Sequence, residues 1–362
     1  MKKIVIISEI QAGGVEKVNT MLATYLDRDK FDVTLLSITD KAATYKDTVF
    51  PYKVIFLEGR SIKRSFFKLI KQLRKISPDV ILTSILDETF YSLTYKYMFS
   101  RTTKVIYVQH TVWSRVCSLS KKAVFFNIFL PRITGLFKRI DAIVYVSNGV
   151  KHDMNKHVRG IKTKEYVIYN PITYTDKYYR FREINKDNIS LVTVGRLEQE
   201  KRQDILVKAT GLLKDKGYNV NLFIYGKGSL QHNLESLAEK LGLKERVHFM
   251  GFSNHIQQDL AQYDIFLLSS IYESFGNVIV EAMNVGLPVV STNCPVGPSE
   301  LLDDGRYGQL VPLNDEKEMA LAIERVVDNM DGRFIESAFL RSKSFSLENS
   351  IHQYQELFMQ LK

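Results

Sequence analysis

Short apolar runs recur along the chain, each followed by a turn and then by apolar residues at helical spacing. Residues 4–8 read as a strand, 11–17 as a glycine turn, 18–26 as a helix and 31–37 as a second strand. Residues 60–75 place apolar positions 62, 66, 69, 70 and 73 on one helical face and basic residues on the rest. Strands are expected at 79–83, 104–109 and 142–147. Between Trp113 and Arg139 lies a basic and aromatic stretch, read as a loop and a helix interrupted near Pro131. Residues 172–188 are polar, rich in Tyr and without clear period, and are taken as a linker.

The pattern then restarts. Strands are predicted at 189–194, 219–225, 247–250, 263–268 and 288–291. Helices are predicted at 204–215, through Lys240, after Gly276 with Asn277 as the N-cap, and finally over 347–361. Apolar runs that alternate with helices signal parallel sheets. The fold class is therefore α/β, with two Rossmann-like, doubly wound halves in tandem. The expected division is 1–172, 173–345 and a C-terminal helix at 346–362.

Composition narrows the function classes. A chain of 362 residues with 45% hydrophobic content can build two cores. No run reaches the ~18 apolar residues of a membrane-spanning helix. The start of the chain lacks the pattern of a signal peptide, and two cysteines, Cys117 and Cys294, fit a reducing cytosol. Charge is unevenly placed: residues 1–170 carry 29 Lys+Arg and 14 Asp+Glu, against 21 and 26 in the remainder. The first half thus faces something anionic, either nucleic acid or an acidic membrane surface. Residues 60–75, with Lys63, Arg64, Lys68 and Lys71, could lie against an anionic bilayer; the alternative is a solvated cationic face. No recognised nucleic-acid module appears.

The candidate chemistry sits where strands end, since open α/β sheets bind ligands outside their C-terminal strand ends. Arg196 and Lys201 follow the first strand of the second half and could together neutralise a diphosphate. Gly226, Lys227 and Gly228 follow the next strand. Glu273 lies on a strand-to-helix loop, and Glu281 about one turn into the helix after Gly276. A helix start favours an anion, and a first-turn carboxylate can accept the two hydroxyls of a ribose. In the first half, Gly13-Gly14 follows a strand and His110 ends one. Asp27-Arg28-Asp29 is the only Asp-x-Asp and reads as solvated surface. No Cys/His spacing suggests zinc, and neither a P-loop nor a nucleophile elbow is present.

Gly195-Arg196 with Lys201-Arg202, Glu273 and Glu281 around Ser274-Phe275-Gly276, Gly13-Gly14 and His110 together resemble the retaining, metal-independent glycosyltransferases of the GT-B fold, glycosyltransferase family 4. That resemblance covers nearly the whole chain. It implies two Rossmann-like domains facing each other across a cleft, with the last helix crossing back to the first. It implies that Arg196 and Lys201 hold the donor diphosphate and that Glu281 takes the ribose hydroxyls. Glu273, with the backbone of Phe275, Gly276 and Asn277, would read the sugar and phosphate. Gly14 would approach the diphosphate, and His110 would contact the sugar near the reacting carbon. The implied reaction moves a hexose or N-acetylhexosamine, from UDP by family habit, to a lipid-diphosphate-linked surface glycan, without a metal or other cofactor. The enzyme would then be cytoplasmic and peripheral to the inner face of the plasma membrane. Residues 60–75 and 115–139, including Lys121 and Lys122, would rest on phospholipid and admit the carrier's pyrophosphate. A nucleotide-sugar epimerase of the same shape and a basic nucleic-acid-binding protein are the alternatives.

Overall fold

The computed structural model describes residues 1–10, 14–38, 49–57, 64–115, 135–158, 160–174, 177, 179, 183–329 and 331–361. The chain forms two compact units: Met1–Pro171 together with Glu348–Lys362, and Ile172–Leu347.

The first unit contains β1 (Lys2–Ile7), α1 (Gly14–Tyr25), β2 (Phe31–Ser37), β3 (Lys53–Phe56), α2 (Phe66–Ile76), β4 (Val80–Thr83), α3 (Leu86–Phe99), β5 (Lys104–Gln109), β6 (Ala142–Tyr145), α4 (Asn148–His157) and β7 (Lys164–Val167). Its strands pair in parallel in the order β3-β2-β1-β4-β5-β6-β7. β1 is buried from Ile4 to Ile7, as expected of a strand covered on both faces. One core layer joins Val5, Ile7 and Ile81 of the sheet to Leu69 and Leu73 of α2 and Tyr95 of α3.

The second unit contains β8 (Ile189–Val194), α5 (Gln203–Asp215), β9 (Val220–Tyr225), α6 (Gln231–Lys240), β10 (Val247–Gly251), α7 (Ile256–Leu260), β11 (Ile265–Leu268), α8 (Asn277–Asn284), β12 (Val289–Thr292), α9 (Pro298–Leu301), β13 (Gln309–Val311), α10 (Glu316–Asn329) and α11 (Gly332–Ser342). Its parallel sheet runs β10-β9-β8-β11-β12-β13. In each sheet the strand order reverses beside its first strand, between β1 and β4 and between β8 and β11, which creates a switch point. α5 and α10 supply Leu206, Leu213, Ile323 and Val326 to the second core.

The last helix, α12 (Leu347–Gln360), packs in the first unit. Phe358 meets Phe31 edge-on at 5.9 Å, and Asp27 N–H donates to Gln355 Oε1 at 3.0 Å. Lys2 Nζ donates to the carbonyls of Phe358 and Leu361 at 2.7 and 2.8 Å. A cation at a helix C-terminus satisfies open carbonyls and complements the dipole.

Several sequence expectations need correction. α1 begins at Gly14, so Gly14, Val15, Glu16 and Lys17 are helical rather than turn. Of the helix expected over 60–75, the described part is Phe66–Ile76; residues 60–63, with Lys63, lie outside the described residues, as do Lys121 and Lys122. The strand expected over 142–147 stops at Tyr145, and Ser147 caps α4 by accepting Val150 N–H at 3.1 Å. Ile172, assigned to a linker, forms a bridge with Ser346. α3 has no counterpart in the pattern reading. It buries Glu88, Thr89, Ser92 and Lys96 and exposes Phe90, Tyr97, Met98 and Phe99, which inverts part of the usual amphipathic order.

Candidate functional site

Four loops in the second unit carry the site, after β8, β9, β11 and β12. The chain leaves β8 at Gly195 and turns through a 3₁₀ segment, Gln199–Lys201, before α5. Leu197 N–H donates to Lys227 O at 3.1 Å, which ties this loop to the one after β9. Gly226 makes that approach possible: it sits at φ +132°, and a Cβ there would lie 1.9 Å from the Gly195 carbonyl oxygen.

The loop after β11 closes on the same place. Ile271 N–H donates to Glu200 O at 3.0 Å, and Ser269 Oγ to Lys201 O at 2.7 Å. These bonds hold Lys201 against Glu273, with Nζ 2.5 Å from Oε1. Ser270 Oγ donates to the same carboxylate oxygen at 2.7 Å. Both charged side chains are largely enclosed, at 19% and 12% exposure. A charge-assisted bond in such surroundings is stronger than one in water.

Arg196 turns elsewhere. Its side chain is 68% exposed, and its guanidinium donates to Glu200 Oε1 at 2.7 Å. The structure therefore brings Lys201 to Glu273 but directs Arg196 along its own loop. Arg202, at φ +48°, grips Asp204 through Nε at 2.8 Å and Nη2 at 3.0 Å. That bond holds the Asp204 carboxyl below its ordinary range against the opposing effect of burial.

Asn277 is the first residue of α8, not its N-cap. Gly276 caps the helix at φ +99°, a conformation open to glycine and strained for other side chains. Phe275 is buried and meets Phe345 edge-on at 5.7 Å, so its ring serves the core. Glu281 is buried on α8 at 4% exposure.

After β12, burial pushes the Cys294 thiol up to about 12, and the nearby Glu273 charge adds to the effect. Cys294 thus stays a neutral thiol near neutral pH. Among the described residues, no group of three or more His, Cys, Asp or Glu is arranged to hold a metal. The sequence reading missed Glu200, Ser270 and Cys294. Their only sequence signal was position on a strand-end loop.

His110 and Gly14 belong to the first unit, at the C-terminal end of β5 and the start of α1. The Nε2 of His110 is buried without a hydrogen-bond partner among the described residues, and burial lowers its pKa to about 4. The imidazole is therefore neutral near pH 7. Arg64, Lys68 and Lys71 are exposed at or on α2.

Residues 12–175 match the family described as Glycosyltransferase Family 4, and residues 175–339 match Glycosyl transferases group 1. The chain is a family 4 glycosyltransferase. The glycosyltransferase has the GT-B fold: it superposes on the crystal structure of Anabaena HepE in complex with UDP and glucose with a TM-score of 0.80, at 22% identity, covering 99% of this chain and 100% of that one. A glycosyltransferase from Rickettsia africae superposes with a TM-score of 0.82 at 18% identity, covering 99% and 98% of the two chains. Among curated relatives, the N-acetylgalactosamine-N,N'-diacetylbacillosaminyl-diphospho-undecaprenol 4-alpha-N-acetylgalactosaminyltransferase of Campylobacter jejuni is 26% identical over 352 residues, covering 94% of each chain. A second Campylobacter jejuni relative, a GalNAc-alpha-(1->4)-GalNAc-alpha-(1->3)-diNAcBac-PP-undecaprenol alpha-1,4-N-acetyl-D-galactosaminyltransferase, is 24% identical over 381 residues, covering 100% and 99%.

Proposed function

We propose that this glycosyltransferase moves a hexose or N-acetylhexosamine from a UDP-sugar to a lipid-diphosphate-linked surface glycan, with retention and without a metal. The Lys201–Glu273 pair beside the β8/β11 switch point carries the reading. A donor diphosphate would compete with Glu273 for the Lys201 ammonium and release the carboxylate to the sugar hydroxyls. Arg196, exposed on the same loop, would swing from Glu200 to the phosphates. Glu281 is assigned to the ribose hydroxyls, and Glu273 with the backbone of Phe275, Gly276 and Asn277 to the sugar and phosphate. Gly14 is assigned to the diphosphate and neutral His110 to the sugar near its reacting carbon. In this scheme Lys201 and Arg196 stabilise charge growing on the departing UDP. The acceptor hydroxyl forms the new bond to the anomeric carbon as the bond to phosphate breaks. Its proton passes to the departing phosphate oxygen.

UDP is supported by the HepE complex, and the lipid-linked acceptor by the names of the two Campylobacter relatives. Arg64, Lys68 and Lys71 are assigned to the anionic inner leaflet. Among the described residues no helix is long and apolar enough to cross a membrane. The test is a panel of UDP- and GDP-sugars offered with an undecaprenyl-diphosphate sugar, read by mass spectrometry with and without EDTA. Transfer from a UDP-sugar that EDTA leaves intact is expected. Loss of transfer in EDTA, restored by a divalent metal, would overturn the metal-free route.

A further inference from the structure

Residues 292–297, which end β12 and form the loop after it, carry no charged side chain, yet they are bonded to the loop that presents Glu273. β11 and β12 pair as far as Leu268 and Ser291, where the ladder ends. The Thr292 hydroxyl then extends the attachment by two residues, donating to the Ser270 carbonyl at 2.6 Å. Thr292 and Ser270 are both fully buried. Ser270 in turn donates its hydroxyl to Glu273 Oε1 at 2.7 Å. The two bonds act in series: Thr292 fixes the Ser270 main chain, and Ser270 fixes the carboxylate. A buried hydroxyl or carbonyl without such a bond would carry its desolvation cost, so the arrangement favours one geometry.

Further contacts bracket Glu273. Cys294 is buried and donates its S–H to the Val296 carbonyl at 3.4 Å, while its sulfur receives the Glu273 N–H. Gly297 sits at φ +98°, where a Cβ would stand 2.6 Å from the Phe275 carbonyl oxygen and 3.1 Å from Glu273 Cβ. Glycine alone lets the chain approach this closely. Residues 270, 273 and 275 of one loop thus meet residues 292, 294 and 297 of the other. The support is itself anchored: Arg341 of α11 donates to the Glu300 and Leu301 carbonyls of α9 at 3.1 and 3.4 Å.

We propose that Thr292 and Cys294 are positioning residues for sugar transfer: they act through Ser270 and the Glu273 main chain to hold the carboxylate where the sugar hydroxyls arrive. The inference deepens, and rests on, the reading of Glu273 as a sugar-binding group. A binding group selects its ligand when supporting bonds hold it to within about 0.5 Å of the productive geometry. A misplacement of about 1 Å costs on the order of a hundredfold in rate. A hydroxyl that merely stabilised the end of the sheet would change the binding of UDP and of a UDP-sugar alike. One that places Glu273 changes the sugar's share, which UDP alone does not have.

The test measures kcat/KM of the full-length chain with whichever of UDP-glucose and UDP-N-acetylgalactosamine supports transfer to an undecaprenyl-diphosphate sugar, and the Kd of UDP by calorimetry. Thr292→Val keeps the shape of the side chain and removes its hydroxyl. It should lower kcat/KM by about tenfold or more, while the Kd of UDP stays within about twofold of wild type. Thr292→Ser, which keeps the hydroxyl, should restore kcat/KM. Cys294→Ala should act in the same direction, and it carries the test if thermal unfolding shows that Thr292→Val does not fold. Glu273→Ala should lower kcat/KM at least as far. Adding Thr292→Val to it should change kcat/KM by less than about twofold, because the positioning residue then has no carboxylate to place. Thr292→Val and Cys294→Ala both equal to wild type, with Glu273→Ala impaired, would overturn the proposal and leave the reading of Glu273 standing. An undiminished effect of Thr292→Val in the Glu273→Ala background, or an equal loss of UDP affinity, would also overturn it. Full transfer by Glu273→Ala, or transfer from neither UDP-sugar, would remove the donor-site reading and the proposal with it.

Discussion

Replacing Lys201 by Ala tests both the stability and the chemistry assigned to the Lys201–Glu273 pair. The substitution strips Glu273 of its ammonium partner at 2.5 Å and leaves only Ser270 Oγ on that oxygen at 2.7 Å. Truncating one member of a buried pair costs about 3–5 kcal/mol, since the remaining charge keeps its desolvation penalty. The 19% and 12% exposure of the two side chains lets water relieve part of that penalty. A loss near the lower end, about 3 kcal/mol, is therefore expected in denaturant unfolding of the second unit. Glu273→Gln should cost less, because the amide can still accept from Lys201 and Ser270. The double variant Lys201→Met with Glu273→Gln removes the stranded charge and should recover most of the stability. It should not recover donor use. For Lys201→Ala, donor use should fall by about one to three decades, or ~1.4 kcal/mol of transition-state stabilisation per decade. A thermodynamic cycle with coupling below about 0.5 kcal/mol would refute the structural reasoning. Full donor use in Lys201→Ala would refute the chemical role.

Glu281→Ala should weaken donor use by about one to three decades in steady-state kinetics with UDP-sugars. Gly226→Ala places a Cβ 1.9 Å from the Gly195 carbonyl oxygen at φ +132°, so a loss of about 3 kcal/mol or more, or failure of the second unit to fold, should appear in thermal unfolding. Burial raises Glu88 to about 8, so the native state keeps a proton that the unfolded chain gives up above its ordinary value of 4.5. Stability from this group is present below that value and declines as pH rises towards about 8; Glu88→Gln should flatten that slope in pH-dependent unfolding. His110 shows the opposite sign, because its folded pKa of about 4 lies below 6.5: stability falls as pH drops from about 6.5 to about 4, and His110→Gln should remove that acid sensitivity.

The two parallel sheets were legible because buried parallel strands read as unbroken apolar runs, as at Ile4–Ile7 and Ile265–Leu268. β3, β7 and β13 were not: Gln309–Val311 is only three residues long, and Lys53–Phe56 and Lys164–Val167 are short edge strands that start on an exposed Lys and are only partly buried. α3 escaped notice because its buried polar residues depend on distant partners, with Lys96 reaching Asp141. The cap of α8 was misassigned because Asn is a good N-cap by composition, while the turn needed a positive φ that Gly276 provides. The residue types of the candidate site could be read from strand-end positions. Their pairing could not: Lys201 and Glu273 stand 72 residues apart and meet only because β8 and β11 are neighbours. The turn of Arg196 towards Glu200 is likewise a local ion pair that no motif encodes.

A crystal structure with UDP bound tests the donor-site assignment most directly. The account predicts the diphosphate within hydrogen-bond distance of Lys201 Nζ, the ribose hydroxyls on the Glu281 carboxylate, and Arg196 drawn off Glu200. UDP bound elsewhere, with Lys201 still closed on Glu273 and Glu281 untouched, would contradict it.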